Sequence, residues 1–241
     1  MRSSRWQAQG NVYLVAEERL TPETVRAEVG DADGILEVLA RGEDALEIAI
    51  WNTDGSRAEM SGNGTRIAAR WLAEQTGAEE VTVRVGPREV RARMLGGDLV
   101  EQDLGPVEVG EPEEVEGIRF TPVDVGNPHA VVEGDPAELP RIGPLLETHS
   151  RFPERTNVQV ARRLGEHELE ARVWERGVGE TGSSGSSAVA VAAALGVSRA
   201  IVRFPGGELT VRIEDGRALL TGPAERVAER QTGNRTERLP E

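Results

Sequence analysis

Apolar and polar residues alternate along Leu46-Glu47-Ile48-Ala49-Ile50-Trp51-Asn52 and again along Leu169-Glu170-Ala171-Arg172-Val173-Trp174-Glu175, the period-two signature of strands. The two runs match each other, and the segments after them match as well. Ten residues beyond each tryptophan, with no gap, stand Ser61 and Ser184. Each serine is followed by glycine, a small polar residue and then a helical run, Thr65 to Glu74 in the first copy and Ala188 to Leu195 in the second. The alternation then resumes as a hairpin pattern, from Val81 to Met94 and from Ala200 to Ile213. Gly10-Asn11 precedes one copy and Gly126-Asn127 the other.

The second helical run, AVAVAAAL, is apolar on every side, and such a helix must be enclosed on all faces. Strands wrapped around a central helix provide that enclosure. The pattern therefore predicts an α+β protein of two similar halves, residues 1–113 and 114–226, each a strongly curved sheet or barrel around one buried helix, with a cleft between them. The last strand is a candidate to return to the N-terminal half, and the acidic stretch 107–117 is the expected crossing. Residues 227–241 read as a tail, because QTGNRTERLPE offers almost nothing to bury.

Each helical run begins after a glycine-rich loop, SGNGT at 61–65 and SSGSS at 183–187. The free N–H groups and the dipole at such ends attract anions. If the halves face each other, two helix N-termini converge on one cleft and can hold the same carboxylate. Ordinary N-capping is the competing explanation for each serine. Their equivalence across the repeat favours a functional one.

Composition narrows the chemistry. The chain has 241 residues, with 28 basic against 42 acidic side chains and a net charge of −14, which excludes an electrostatic nucleic-acid binder. All the basic residues are arginine, so Schiff-base chemistry on lysine, including covalently held pyridoxal phosphate, is excluded, as is the lysine-dependent nucleotide loop. Cysteine is absent, which removes disulfides, thiolate metal sites and thiol catalysis. The histidines, His129, His149 and His167, show no metal-ligand spacing, and neither serine sits in a G-x-S-x-G elbow. The opening MRSSRWQAQG carries no apolar signal core and no 18-residue apolar run is present after it, so a soluble cytoplasmic protein without membrane association is expected.

The residues Asn52-Thr53-Asp54-Gly55-Ser56, Ser61-Gly62-Asn63-Gly64, Gly126-Asn127-Pro128-His129, GPLLETHSRFPERTN at 143–157, Glu175-Arg176-Gly177-Val178-Gly179-Glu180-Thr181 and Thr221-Gly222-Pro223-Ala224, taken as an ordered set, resemble the diaminopimelate epimerase family. The resemblance spans nearly the whole chain. It implies two pseudo-symmetric halves, each a barrel around a central helix, and a cofactor-independent isomerase acting on a small amino acid, with a homodimer among the expectations. It also implies inversion of one α-carbon by two groups on opposite faces. In the family these are cysteines; here the matching positions are Ser61 and Ser184. A thiol has a reference pKa near ~8.5 that a helix N-terminus lowers, whereas serine needs a neighbouring base.

Matched position by position, the resemblance assigns Asn11, Gly62, Asn63, Gly185 and Ser186 to the reacting amino acid. It assigns Asn52, Asn127, Asn157, Glu175 and Arg176 to the distal one, where arginine suits a carboxylate and glutamate an ammonium. Val12 and Tyr13 follow Asn11 where the family usually has an aspartate and an aromatic residue. Ala8-Gln9 replaces a histidine-glycine pair. Asp54, Glu59 and His129 are the candidates to activate a serine, although His129 reads better as a packed, hydrogen-bonded residue. Two other readings compete: a binding protein that has lost proton transfer with its thiols, and an isomerase of the phenazine-biosynthesis type using a carboxylate. The ERGVGET signature argues against the second.

Overall fold

The structure, a computed structural model, describes residues 1–58 and 60–227. Strands β1 (Ser3–Ala8) and β2 (Asn11–Ala16) form a hairpin, and helix α1 (Pro22–Glu28) leads to β3 (Gly34–Arg41). Strand β4 (Ala45–Asn52) carries the first alternating run and turns through β5 (Arg57–Ala58) towards helix α2 (Gly62–Thr76). Strands β6 (Glu80–Val85), β7 (Arg88–Met94) and β8 (Leu99–Pro106) complete the first half. The acidic crossing contains two short strands, β9 (Glu108–Val109) and β10 (Glu113–Val115).

The second half repeats this order. Strands β11 (Ile118–Asp124) and β12 (Pro128–Glu133) are followed by a 3-10 turn at Pro136–Glu138 and helix α3 (Leu139–Glu147). Then come β13 (Asn157–Arg163), β14 (Glu168–Glu175) with the second alternating run, β15 (Gly179–Thr181) and helix α4 (Gly185–Ala194). Strands β16 (Arg199–Phe204), β17 (Gly207–Glu214), β18 (Arg217–Pro223) and β19 (Glu225–Arg226) close the described chain.

Pairing follows the same symmetry. The parallel pair β2–β3 corresponds to β12–β13, the antiparallel β3–β4 to β13–β14, and the parallel β4–β6 to β14–β16. The halves join where β8 pairs antiparallel with β18, and β19 pairs with β1. Apart from the short β10–β11 hairpin, the pairings of one half recur in the other, as two α+β halves require. Of the expected tail, Val227 alone is described, its N–H bonded to the Arg5 carbonyl at 2.8 Å; the rest lies outside the described residues.

Burial explains the enclosure. Ala188, Val189, Ala190, Val191 and Ala192 of α4 are inaccessible to solvent, packed against Leu169, Val173, Val202, Leu209 and Leu220 of the surrounding strands. Around α2, Ile67, Ala68 and Leu72 pack against Ile48, Ile50, Val83 and Val100. Both helices start earlier than the apolar pattern suggests, at Gly62 and Gly185. Glycine is a poor helix former in isolation, and here the packing of the later turns overrides that preference. Helix α2 stops at Gly77, whose φ of 77° supplies the left-handed cap.

The two tryptophans that mark the repeat are pinned alike: Trp51 Nε1 donates to Glu37 and Trp174 Nε1 to Glu147, each at 2.8 Å. Helix α3 lies so close to Trp174 that a β-carbon on Gly143 would stand 2.8 Å from the ring's Cγ. Gly143→Ala is therefore expected to destabilise the protein by about 1–3 kcal/mol in urea unfolding, the usual range for overpacking. Gly134→Ala, whose new β-carbon would meet its nearest neighbour at 3.9 Å, should leave the midpoint close to that of the parent; equal losses would show that Gly143 is not a contact point.

Candidate active site

Ser61 is the N-cap of α2, with extended backbone (φ −145°, ψ 118°), and its Oγ accepts the Gly64 N–H at 3.0 Å. Ser184 occupies the same place on α4 (φ −149°, ψ 130°), without a side-chain capping bond. The helices meet end to end. A β-carbon on Gly62 would lie 3.7 Å from the Cα of Gly185, so glycine at both positions lets the N-termini abut. Neither first turn carries an acidic residue, and the partial positive charge of both ends is left for whatever enters the cleft.

A cleft of about 1400 Å³ opens over this junction. Every residue assigned from the sequence lines it: Ser61, Ser184, Asn11, Gly62, Asn63, Gly185, Ser186, Asn52, Asn127, Asn157, Glu175 and Arg176. Asn63 Nδ2 donates to Asn11 Oδ1 at 2.6 Å, and Asn63 Oδ1 accepts from Arg66 at 2.6 Å. This chain of bonds fixes both amides and turns the Asn11 NH2 group away from Asn63. Arg66 is completely buried, and burial pulls its pKa down to about 10. Among the described residues no carboxylate lies within ion-pair reach of it.

On the opposite wall, Asn157 donates through Nδ2 to the Pro128 carbonyl at 3.0 Å and accepts the Arg176 N–H at 3.0 Å. Glu147 accepts from the Gly177 N–H at 2.7 Å as well as from Trp174, which holds the turn after Arg176. Glu175 accepts from the Thr181 hydroxyl at 2.5 Å. Burial pushes its carboxyl above the usual carboxylate range, against hydrogen bonds from Thr181 and Ser184. Its carboxylate thus stands beside Ser184. Arg88 of β7 reaches across to the Gly126 carbonyl at 2.6 Å and ties the two walls together.

The expected activators of serine are placed otherwise. Asp54 lines the cleft from an exposed turn, where it accepts the Ser56 N–H at 2.8 Å and has no hydrogen bond to Ser61 or Ser184. His129 is buried, with Nε2 facing Asn127 Oδ1 at 3.1 Å and Nδ1 facing Gln159 Nε2 at 2.9 Å. Glu59 lies outside the described residues. The group that does meet Ser61 is the Tyr13 hydroxyl, 3.2 Å from Oγ. Strand alternation places Tyr13 on the same face of β2 as Asn11, the one sequence signal that could have found it. Glu147 carries no such signal, because Trp174 and Gly177 are remote from it in sequence, and of the partners of Arg66 only Asn63 is local. Among the described residues no group of three or more His, Asp or Glu side chains is arranged to hold a metal.

Residues 15–109 and 121–227 match the sequence profile of the family described as diaminopimelate epimerase. The chain is 37% identical over 270 residues to the diaminopimelate epimerase of Synechococcus sp. (strain JA-3-3Ab), covering 91% of this chain and 94% of that one. It is 43% identical over 192 residues to the diaminopimelate epimerase of Thermobifida fusca (strain YX), covering 74% and 69%. A phenazine biosynthesis protein from Bacillus anthracis superposes with a TM-score of 0.73 over 95% of this chain and 98% of that chain, at 12% identity. That last likeness concerns the fold alone.

Burial drives the His129 pKa down to about 3, with Arg176 adding to the effect and Gln159 opposing it. Burial therefore favours the neutral imidazole, whose Nε2 faces the Asn127 amide oxygen. Because the unfolded histidine takes up a proton near pH 6.5 and the folded one does not, its contribution to stability is complete above that pH and is lost as pH falls towards 3. The loss proceeds at up to ~1.4 kcal/mol per pH unit. His129→Gln should flatten this part of the stability profile in urea unfolding between about pH 4 and 7; an unchanged slope would mean that His129 is protonated in the fold.

Proposed function

The chain belongs to the diaminopimelate epimerase family, and from that premise we propose that it interconverts LL- and meso-diaminopimelate by removing the α-proton with one serine and delivering a proton with the other. The observation that carries this reading is the end-to-end meeting of α2 and α4 at Gly62 and Gly185, with Ser61 and Ser184 at matching caps in one cleft. Free amides of both helix ends suit the α-carboxylate and the negative charge that develops when the α-proton leaves. With no lysine in the sequence, the enzyme works without a pyridoxal Schiff base.

Asn11, Gly62, Asn63, Gly185 and Ser186 hold the reacting amino acid in this proposal, while Asn52, Asn127, Asn157 and Arg176 hold the distal one. Glu175, which the resemblance assigns to the distal ammonium, is read here as the proton acceptor for Ser184: both line the cleft, and burial raises its carboxyl pKa. A carboxylate tuned towards neutrality is better matched to taking a proton than an ordinary one. The cleft carries both signs of charge, Asp33 and Glu175 with Arg88 and Arg176, as a doubly zwitterionic substrate requires. Family membership also supports a cytoplasmic homodimer serving lysine and cell-wall precursor biosynthesis.

Purified protein incubated with LL- or meso-diaminopimelate in deuterated water should incorporate deuterium at the α-carbon and form the other isomer, and loss of either serine to alanine should stop isomer formation. Binding without any exchange would establish a binding protein in place of an enzyme. The helix dipoles favour an anion by at most ~2 kcal/mol, about 1.5 pK units, so an alcohol remains a weaker base than a thiol. Ser61→Cys together with Ser184→Cys should raise the rate by orders of magnitude, and either change alone by much less.

Arg176→Ala should weaken diaminopimelate binding by about 1.5–3 kcal/mol through loss of a charge-assisted contact. A monoamino acid, which has no distal carboxylate, should bind almost as before. Equal losses for both ligands in calorimetry would make Arg176 structural.

A further inference from the structure

We propose that Tyr13 is the proton-supplying partner of Ser61, so that the two serines are not interchangeable: Ser61 delivers a proton in the resting enzyme and Ser184 removes one. The inference rests on the epimerase reading and deepens it. The Tyr13 hydroxyl stands 3.2 Å from Ser61 Oγ, and that same oxygen already accepts the Gly64 N–H at 3.0 Å. A serine hydroxyl has one proton and two acceptor lone pairs. The amide fills one lone pair, the phenol is assigned here as the donor to the other, and in that arrangement Ser61 has its own proton to offer to the cleft.

The phenol is built to stay a donor. Burial raises its pKa above the ordinary value of 10.0, the Ser61 hydrogen bond offsets part of this, and the carboxylates of Asp33 and Glu175 add to the rise. The ring is also seated. Tyr13 pairs with Gly34 across β2 and β3, and a β-carbon on Gly34 would fall 2.9 Å from the ring's Cε1, so the missing side chain leaves room for the ring. Ser184 differs on each count: it lacks the amide cap and has the carboxylate of Glu175 beside it.

The step balances without any further reactant. The substrate's α-proton passes to Ser184 Oγ as that serine's own proton moves to the Glu175 carboxylate, and the C–H electron pair stays on the α-carbon. That pair takes the Ser61 proton on the opposite face. The electrons of the broken O–H bond remain on Ser61 Oγ, which accepts the phenolic proton from Tyr13. One negative charge has then moved from Glu175 to Tyr13. It returns when solvent in the open cleft carries the proton from Glu175 to the phenolate.

Tyr13 is the single tyrosine of the chain, which makes the test clean. Tyr13→Phe keeps the ring on Gly34 and removes the hydroxyl alone. In deuterated water, with each diaminopimelate isomer in turn, exchange that keeps the starting configuration reports removal and return at Ser184. Deuterium in the inverted product reports delivery at Ser61. The variant should lose inversion on the order of 10²-fold, as expected for a lost general acid, while retained exchange of the isomer facing Ser184 and the substrate Kd stay near wild type. A purely structural role would lower both processes together and overturn the proposal, as would unchanged inversion.

Biosynthetic replacement of tyrosine by 3-fluorotyrosine gives the same site a more acidic phenol and a fluorine reporter. It should preserve inversion and shift the alkaline limb of its pH profile downward. Its resonance should move in Ser61→Ala and stay in place in Ser184→Ala. If the wild-type protein exchanges no α-proton with either isomer, the epimerase reading fails and the proton-supplying role fails with it. An unmoved resonance in Ser61→Ala would refute the contact while leaving epimerisation intact.

Discussion

Two buried helices that must begin at the same point impose the main constraint on this molecule. Each half packs strands around its helix, and the core clusters about α2 and α4 fix where each helix lies. The β8–β18 junction then brings their N-termini together. Like ends of two dipoles repel, and the close approach of Gly62 to Gly185 concentrates unsatisfied N–H groups in one small region. That arrangement is costly when empty and favourable around an anion. Glycine at both contact positions, serine at both caps and the absence of acidic residues in both first turns are all consequences of it.

Within that symmetric frame the chemistry is asymmetric. Position 61 is held by an amide and a phenol, position 184 by a carboxylate. A thiol pair at two helix ends can share the work of acid and base, because a thiolate is accessible near neutrality. Hydroxyl groups cannot, and each needs a partner suited to one direction of proton flow. Tyr13 and Glu175 are such partners, and their pKa values are both displaced by burial. A mobile proton therefore has an origin and a destination on opposite walls of the cleft.

Much of this was legible because the repeat is local in sequence. The gapless spacing from Trp51 to Ser61 and from Trp174 to Ser184 encodes a strand, a turn and a helix start, and local spacing survives folding. The alternating runs became β4 and β14, and the all-apolar run became the core of α4. What the pattern does not carry is contact between distant segments. Tyr13 meets Ser61 because β2 runs beside β3, which places it over Gly34. Glu147 meets Trp174 because α3 lies across β14. Helix α3 itself contains Pro144, which obscures its pattern, and α1 has few apolar residues to set a period. His129 is a candidate activator by its place in the motif, yet its nitrogens are spent on Asn127 and Gln159.

The buried charge beneath the site completes the asymmetry. Carrying the serine register forward, Arg66 of α2 occupies the place that Val189 holds in α4. Both side chains are fully buried, but only the arginine brings a charge. Its guanidinium bonds to Asn63 and the Pro223 carbonyl, neutral groups that satisfy its hydrogens without cancelling its charge. A buried cation without a nearby anion is expensive, and it persists here behind Asn63, the amide that meets Asn11 in the cleft. On the other side Glu175 begins as the anion and ends neutral. Arg66 behind Asn63 and Glu175 in the cleft wall thus set charges of opposite sign on the two halves of an otherwise symmetric frame.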